Sequence, residues 1–223
     1  MFYLKFAQCI TTVVCCIVNF SDLYKIRKER VSMKVSDILK KDTVTISCEL
    51  FPPKQGSQLE NYKKIVAETA ALKPAYISCT YGATGGTSDY TVEIADAINA
   101  NHIPAIAHLT CASSTKEKVR SVITELKERN IENILALRGD IPEQADFPLP
   151  DQYHHAYELI EEIRSMGDFC IGGACYPEGH PEAATMDEDL DHLKEKVEAG
   201  CDYLTTQMFF DNSIYYNFMY KAL

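Results

Sequence analysis

The 223-residue chain has nine cysteines but no C-x-x-C pair. Cys9, Cys15 and Cys16 lie near the N-terminus. Cys48, Cys79, Cys111, Cys170, Cys175 and Cys201 are scattered, mostly in or beside apolar, strand-like runs. That spacing excludes a zinc ribbon and speaks against a disulfide framework. It fits buried free thiols in a reducing, cytoplasmic compartment. Basic charge is scarce as well: Lys plus Arg number 22 against 32 Asp plus Glu, for a net charge of -10. Five of the basic side chains and two of the acidic ones fall within residues 1–32, so by subtraction the remainder carries 17 basic and 30 acidic groups. A body near -13 repels a phosphate backbone, which excludes nucleic acid as a natural partner. Glycine and proline are at ordinary levels, 10 and 9 residues, with 46% hydrophobic and 24% charged residues. Disordered, collagen-like and low-complexity classes are thereby excluded, and the length is enough to bury a core.

A long uninterrupted apolar run is also missing. Ile10–Phe20 (ITTVVCCIVNF) is apolar or weakly polar, but counted from Met1 the stretch is broken by Lys5 and Gln8, and a basic cluster follows at Lys25–Arg30. This is marginal for a membrane span. A signal-like segment or short anchor is one reading. The preferred one is an extension, hydrophobic then basic, over residues 1–32, outside a domain spanning 33–223, because Met33 stands just before the first domain-like pattern.

From Thr43 onward one unit recurs. Strands are expected at 44–50, 75–81, 103–109, 132–139, 168–176 and 201–209, starting every 28 to 36 residues. Amphipathic helices are expected between them at 61–73, 91–101, 115–130, 155–167 and 187–200. In the third, Val119, Val122, Ile123 and Leu126 form an apolar stripe. Asn130 and Gly200 stand where a left-handed residue ends a helix. A β-crossover-α unit of about 30 residues is the repeat of a parallel sheet.

A doubly wound sheet and a (β/α)8 barrel both share that rhythm, and two features favour the barrel. No G-x-G-x-x-G follows the first strand; FPPKQG (51–56) stands there instead. Polar groups also recur at the end of every strand rather than at one switch point: Glu49, then Thr80 and Tyr81, His108 and Thr110, Arg138 and Asp140, Tyr176 and Glu178, and Gln207. In a barrel these ends converge on one mouth. The fold class is therefore α/β, a (β/α)8 TIM barrel, with about six of its eight β/α units in this chain. The incomplete sheet would need a partner for its open edge, and a non-catalytic fragment binding through that edge is the competing reading.

Several groups could carry chemistry. Glu49 lies in an otherwise apolar strand, where desolvation suits a carboxyl to proton donation; an ion-paired carboxylate is the alternative. ALRGD (136–140) offers Arg138 for an anion, Gly139 for close ligand approach and Asp140 as an acceptor, or equally an internal ion pair at a turn. YPEGHPEA (176–183) fixes an extended loop through two X-Pro steps, and its spacing is wrong for a metal. A strand-end histidine such as His108 is often a structural donor. Asp189 and Lys196 share a helix face that could simply be solvated. YGATGG (81–86) lacks the Lys-Ser/Thr ending of a phosphate loop. No strand ends in a Schiff-base lysine, which speaks against an aldolase.

Taken in order, CELFPPK (48–54), TYGATGGTSDYT (80–91), HLTC (108–111), ALRGD (136–140), YPEGHPEA (176–183), DLDHLKEKVEAGCD (189–202) and TTQMFFD (205–211) closely resemble the methylenetetrahydrofolate reductase family. The resemblance runs from about Val44 to Leu223. It implies an FAD-binding barrel and an oxidoreductase of CH-NH donors. Such an enzyme converts 5,10-methylenetetrahydrofolate to 5-methyltetrahydrofolate with NADH or NADPH, in one-carbon metabolism and methionine biosynthesis. It implies that Glu49 is the general acid, that Asp140 acts near both flavin and folate, and that Gln207 binds folate. Flavin contacts are implied at Thr80, Tyr81, Ala83, His108, Arg138, Gly139, Asp140, Ala156, Tyr176, His180, Ala183, Asp189, His192, Glu195 and Lys196. His155 stands where some members carry Tyr, and Met208 where Phe or Leu is common. In the family, two further strands complete the barrel and supply more folate contacts. The preference for NADH or NADPH and any homo-oligomer stay open.

Overall fold

The computed structural model describes residues 6–7, 34–53, 59–81, 88–112, 114–141 and 147–222. Seven strands, β1 (Phe6–Ala7), β2 (Cys48–Leu50), β3 (Ile77–Cys79), β4 (Ala105–Thr110), β5 (Asn133–Leu137), β6 (Cys170–Cys175) and β7 (Tyr203–Thr206), form one sheet in the order β1-β7-β6-β5-β4-β3-β2. Every pairing is parallel. From β2 to β7, chain neighbours are sheet neighbours, and helices α2 (Leu59–Ala71), α3 (Ser88–Ala100), α4 (Lys116–Glu128), α5 (Ala156–Met166) and α6 (Met186–Glu198) cross between them. Helix α7 (Asn212–Ala222) follows β7. This is the curled sheet of a partial (β/α)8 barrel, as the repeat predicts. Apart from the two residues of β1, the N-terminal extension expected over 1–32 lies outside the described residues.

The observed strands are shorter than the expected ones. Residues 44–47 fall outside the strand, although the Ile46 carbonyl accepts from the Ala75 N–H at 2.8 Å, and Val44 is 93% exposed. The helices match closely. Val119, Val122, Ile123 and Leu126 are all buried on α4, and the Thr115 hydroxyl caps that helix by accepting from the Lys118 N–H. Asn130 (φ 56°) and Gly200 (φ 110°) do take the left-handed conformation; so do His102 (φ 60°) and Lys73 (φ 55°), the latter a residue type with no such preference.

Two-residue alternation sorts the strand side chains. On β4, Ala105, Ala107 and Leu109 join the main core with helical residues such as Val66, Ile98, Ile123 and Ile160. Ile106 faces the other way, into a second cluster with Leu135, Cys170, Tyr203 and Val35. Val35 belongs to α1 (Val35–Leu39), a short helix not anticipated from the sequence, which plugs the inner face. Its end is pinned by the Val35 N–H donating to Asn133 Oδ1 at 2.7 Å, while Asn133 Nδ2 donates to the Ala105 carbonyl. The same alternation, with Cys48 and Leu50 packed on the main core, puts Glu49 on the inner face.

Candidate active site

A cavity of about 800 Å³ opens beyond the C-terminal ends of the central strands. Its floor is the turn after β5. There Arg138, Gly139 and Asp140 are held by two N–H groups, of Cys111 and Ala112, both donating to the Arg138 carbonyl. Gly139 has φ +84°, and a Cβ on it would lie 3.0 Å from the Thr110 Cβ, so backbone approach here depends on glycine.

One wall is the 176–185 loop. Tyr176 and His180 meet edge to face at 4.7 Å, the His180 N–H donates to Asp189 Oδ2, and the Glu182 N–H donates to His180 Nδ1. Glu182 grips Arg138 through two 2.7 Å hydrogen bonds, which raise the guanidinium pKa and lower that of the carboxyl. Arg138 thus lines the cavity while ion-paired with Glu182. Its partner lies 44 residues away, beyond any local sequence signal.

A second part of the wall is α6, which continues from that loop. Thr185 caps it by accepting from the Glu188 N–H, and helical spacing points Asp189, His192, Glu195 and Lys196 into the cavity. Lys196 Nζ donates to the Ala174 carbonyl at 2.9 Å. Burial pulls its pKa down, with Asp189 opposing. At the start of α5, the His155 ring is stacked with both Tyr157 (5.7 Å) and His192 (6.1 Å), and Ala156 and Ala183 also line the cavity. Tyr157 also lines the cavity, and its only sequence signal is an aromatic two positions after His155.

Tyr81 also lines the cavity, and its hydroxyl is buried with no partner among the described residues. Thr80 and His108 do not line it. The Thr80 carbonyl accepts from the Thr91 hydroxyl, and His108 is buried beside Glu49, with Nε2 to Oε2 3.6 Å; burial pulls its imidazole down to about 4. Ala83 and the glycine-rich 82–87 segment lie outside the described residues.

Glu49 departs from the expected burial. Its side chain is 43% exposed, because among the described residues β2 is an edge strand paired only with β3. The Ser78 hydroxyl donates to its Oε2 at 3.2 Å. Gln207 is exposed at the end of β7, its N–H donating to the Cys175 carbonyl. Among the described residues no cluster of three or more His, Cys, Asp or Glu could hold a metal ion, and no helix is long and apolar enough to cross a membrane.

The cavity suits a large ligand with both aromatic and anionic parts. Its stacked rings offer planar faces, Lys196 and Arg138 supply positive charge among the carboxylates of Asp140, Glu182, Asp189 and Glu195, and the buried Tyr81 hydroxyl has no partner among the described residues. A family model described as methylenetetrahydrofolate reductase matches residues 34–222. The chain belongs to this family. It is 38% identical over 176 residues to the 5,10-methylenetetrahydrofolate reductase of Pectobacterium carotovorum, covering 78% of this chain and 58% of that protein. The Escherichia coli enzyme is 36% identical with the same coverage. The Arabidopsis thaliana relative named methylenetetrahydrofolate reductase (NADH) 1 is 34% identical, covering 83% of this chain and 34% of its own. The chain thus spans little more than half the length of these bacterial family members and a third of the plant one. A Clostridium thermocellum protein, whose solved structure is described as binding two copies of 5-methyl-5,6,7,8-tetrahydrofolic acid, shares the fold. Its TM-score is 0.57 at 16% identity, over 84% of this chain and 63% of that one.

Proposed function

We propose that this chain binds FAD in the cavity and serves the reduction of 5,10-methylenetetrahydrofolate to 5-methyltetrahydrofolate by NADH or NADPH. One observation carries the reading. Twelve of the fifteen residues that the family resemblance marks for the cofactor, on α5 and α6 and in the segments that follow β3, β5 and β6, line one cavity, although they are spread from Tyr81 to Lys196 in the chain. Relatives named as NADH enzymes support a nicotinamide reductant.

When bound, FAD would carry the hydride from the nicotinamide to the folate. The chain's own part is to bind, orient and move a proton. Lys196 and, once Glu182 yields, Arg138 would meet the anionic part of the cofactor. The rings of His155 and His192 and the backbone at Gly139 would meet its planar parts. Reduction of the folate requires its methylene bridge to open. Glu49 gives its proton to the departing nitrogen: the O–H bond breaks, the C–N electron pair goes to nitrogen, and a cationic iminium remains to accept hydride. Asp140, exposed at the mouth and carrying negative charge, favours that cation. Gln207 presents an amide that can donate to and accept from a folate head group.

The test is the visible spectrum of the purified chain, before and after anaerobic NADH or NADPH and then methylenetetrahydrofolate. A flavin band that bleaches and returns with the folate supports the reading. A folded, flavin-loaded chain that never passes its electrons to folate overturns it in favour of a non-catalytic, partner-binding chain.

A further inference from the structure

Among the described residues, Glu49 is held by a hydrogen bond from an uncharged hydroxyl and by no cation. In the β2–β3 register it lies directly across from Ser78, and both side chains face inward. The Ser78 hydroxyl, on a residue only 9% exposed, reaches Oε2 at 3.2 Å. His108, from β4, faces the same oxygen at 3.6 Å and is uncharged. The Cys79 thiol on β3 also feels the carboxylate, but burial pushes it up to about 12, so it too is uncharged. Oε1 has no hydrogen-bond partner among the described residues.

This arrangement has a chemical meaning. An Arg or Lys at Ser78's place would hold Glu49 permanently as a carboxylate. A hydroxyl donates to Oε2 whether the group is a carboxylate or a carboxylic acid, so its contact survives the proton's departure and return. With Oε2 engaged as an acceptor, the transferable proton resides on Oε1, the oxygen left open. We infer that Ser78 is a positioning residue for proton donation, fixing Glu49 through Oε2 and reserving Oε1 for the substrate.

The inference rests on the proposed folate reduction. Ser78→Ala should lower kcat for folate reduction about tenfold, since a poorly aimed acid loses part of a general-acid contribution. KM for the folate and the rate of flavin reduction by NAD(P)H should not change, and Ser78→Thr, which keeps the hydroxyl, should restore most of the loss. A readout without flavin accompanies these. In protein labelled with 13Cδ-glutamate, the Glu49 resonance, assigned by its absence from Glu49→Gln, should move in Ser78→Ala and return in Ser78→Thr. An unmoved resonance, wild-type kcat in Ser78→Ala, or an equal loss in flavin reduction overturns the positioning role. Absence of folate turnover in the wild-type chain instead overturns the reading beneath it.

Discussion

Acid should weaken this fold through His108. The ring is buried on β4, and burial outweighs the nearby Glu49 carboxylate, pulling the imidazole from 6.5 down to about 4. In the unfolded chain the same ring binds a proton near its ordinary value. Between the two values the unfolded state therefore holds more protons, and stability rises with pH. His108's contribution is fully present above about pH 6.5 and is lost as the pH falls through the folded value near 4. A gap of about 2.5 units corresponds to roughly 3 kcal/mol. That is a large share of the ~5–15 kcal/mol that holds a typical domain together. Urea unfolding of wild type and His108→Gln, over a pH series from about 7 to about 4, measures it. Gln keeps a polar side chain and removes the titration. The wild-type stability should fall more steeply than the variant's, by close to one proton per molecule in the middle of the range. Parallel loss in the two proteins would refute the argument and assign acid sensitivity to other groups.

Four further outcomes follow from particular contacts. The Tyr203 hydroxyl is buried without a partner among the described residues, so Tyr203→Phe should leave stability unchanged or raise it by about 1 kcal/mol in chemical denaturation. A new Cβ in Gly172→Ala would come within 2.5 Å of the Tyr203 ring, and the resulting overpacking should cost about 1–3 kcal/mol by the same assay. The Arg138–Glu182 pair keeps the Glu182 carboxyl below its usual range; its stabilisation is present above the unfolded carboxylate value and fades as pH falls through the lowered one. Because Glu182 is 58% exposed, Glu182→Gln should change stability at neutral pH by less than about 1 kcal/mol, read from the urea midpoint. Lys196→Met should preserve the circular dichroism spectrum yet lower FAD affinity at least about tenfold by fluorescence titration, since a buried charge facing an anion is removed.

The sequence shows the repeat and its stripes because those depend on near neighbours. Val119 through Leu126 repeat at helical spacing on one element, and Asn130 and Gly200 end helices through their own backbone preferences. Lys73 adopts the same left-handed turn, but only the helix end imposes it there. The inner-face trio of Glu49, Ser78 and His108 depends on strand register, which no local pattern contains. For this reason Glu49 reads as desolvated in its apolar run, although β2 lies at an edge of the described sheet and leaves it exposed. Arg138 and Glu182 are each visible as charged groups on strand-end loops; their pairing arises only when β5 and β6 lie side by side. Helix α1 is too short for any period to show.

The sheet order also sets how firmly each part of the site is held. β5, which leads into Arg138 and Gly139, has three strands on either side, whereas β2, carrying Glu49, has a single described neighbour. Amide hydrogens of β5 can exchange with solvent only when much of the molecule opens, while those of β2 need one short strand to lift away. The cavity thus belongs to the last part of the molecule to melt, and the acid to one of the first. Mild denaturant should therefore release the proton donor before it releases a ligand from the cavity.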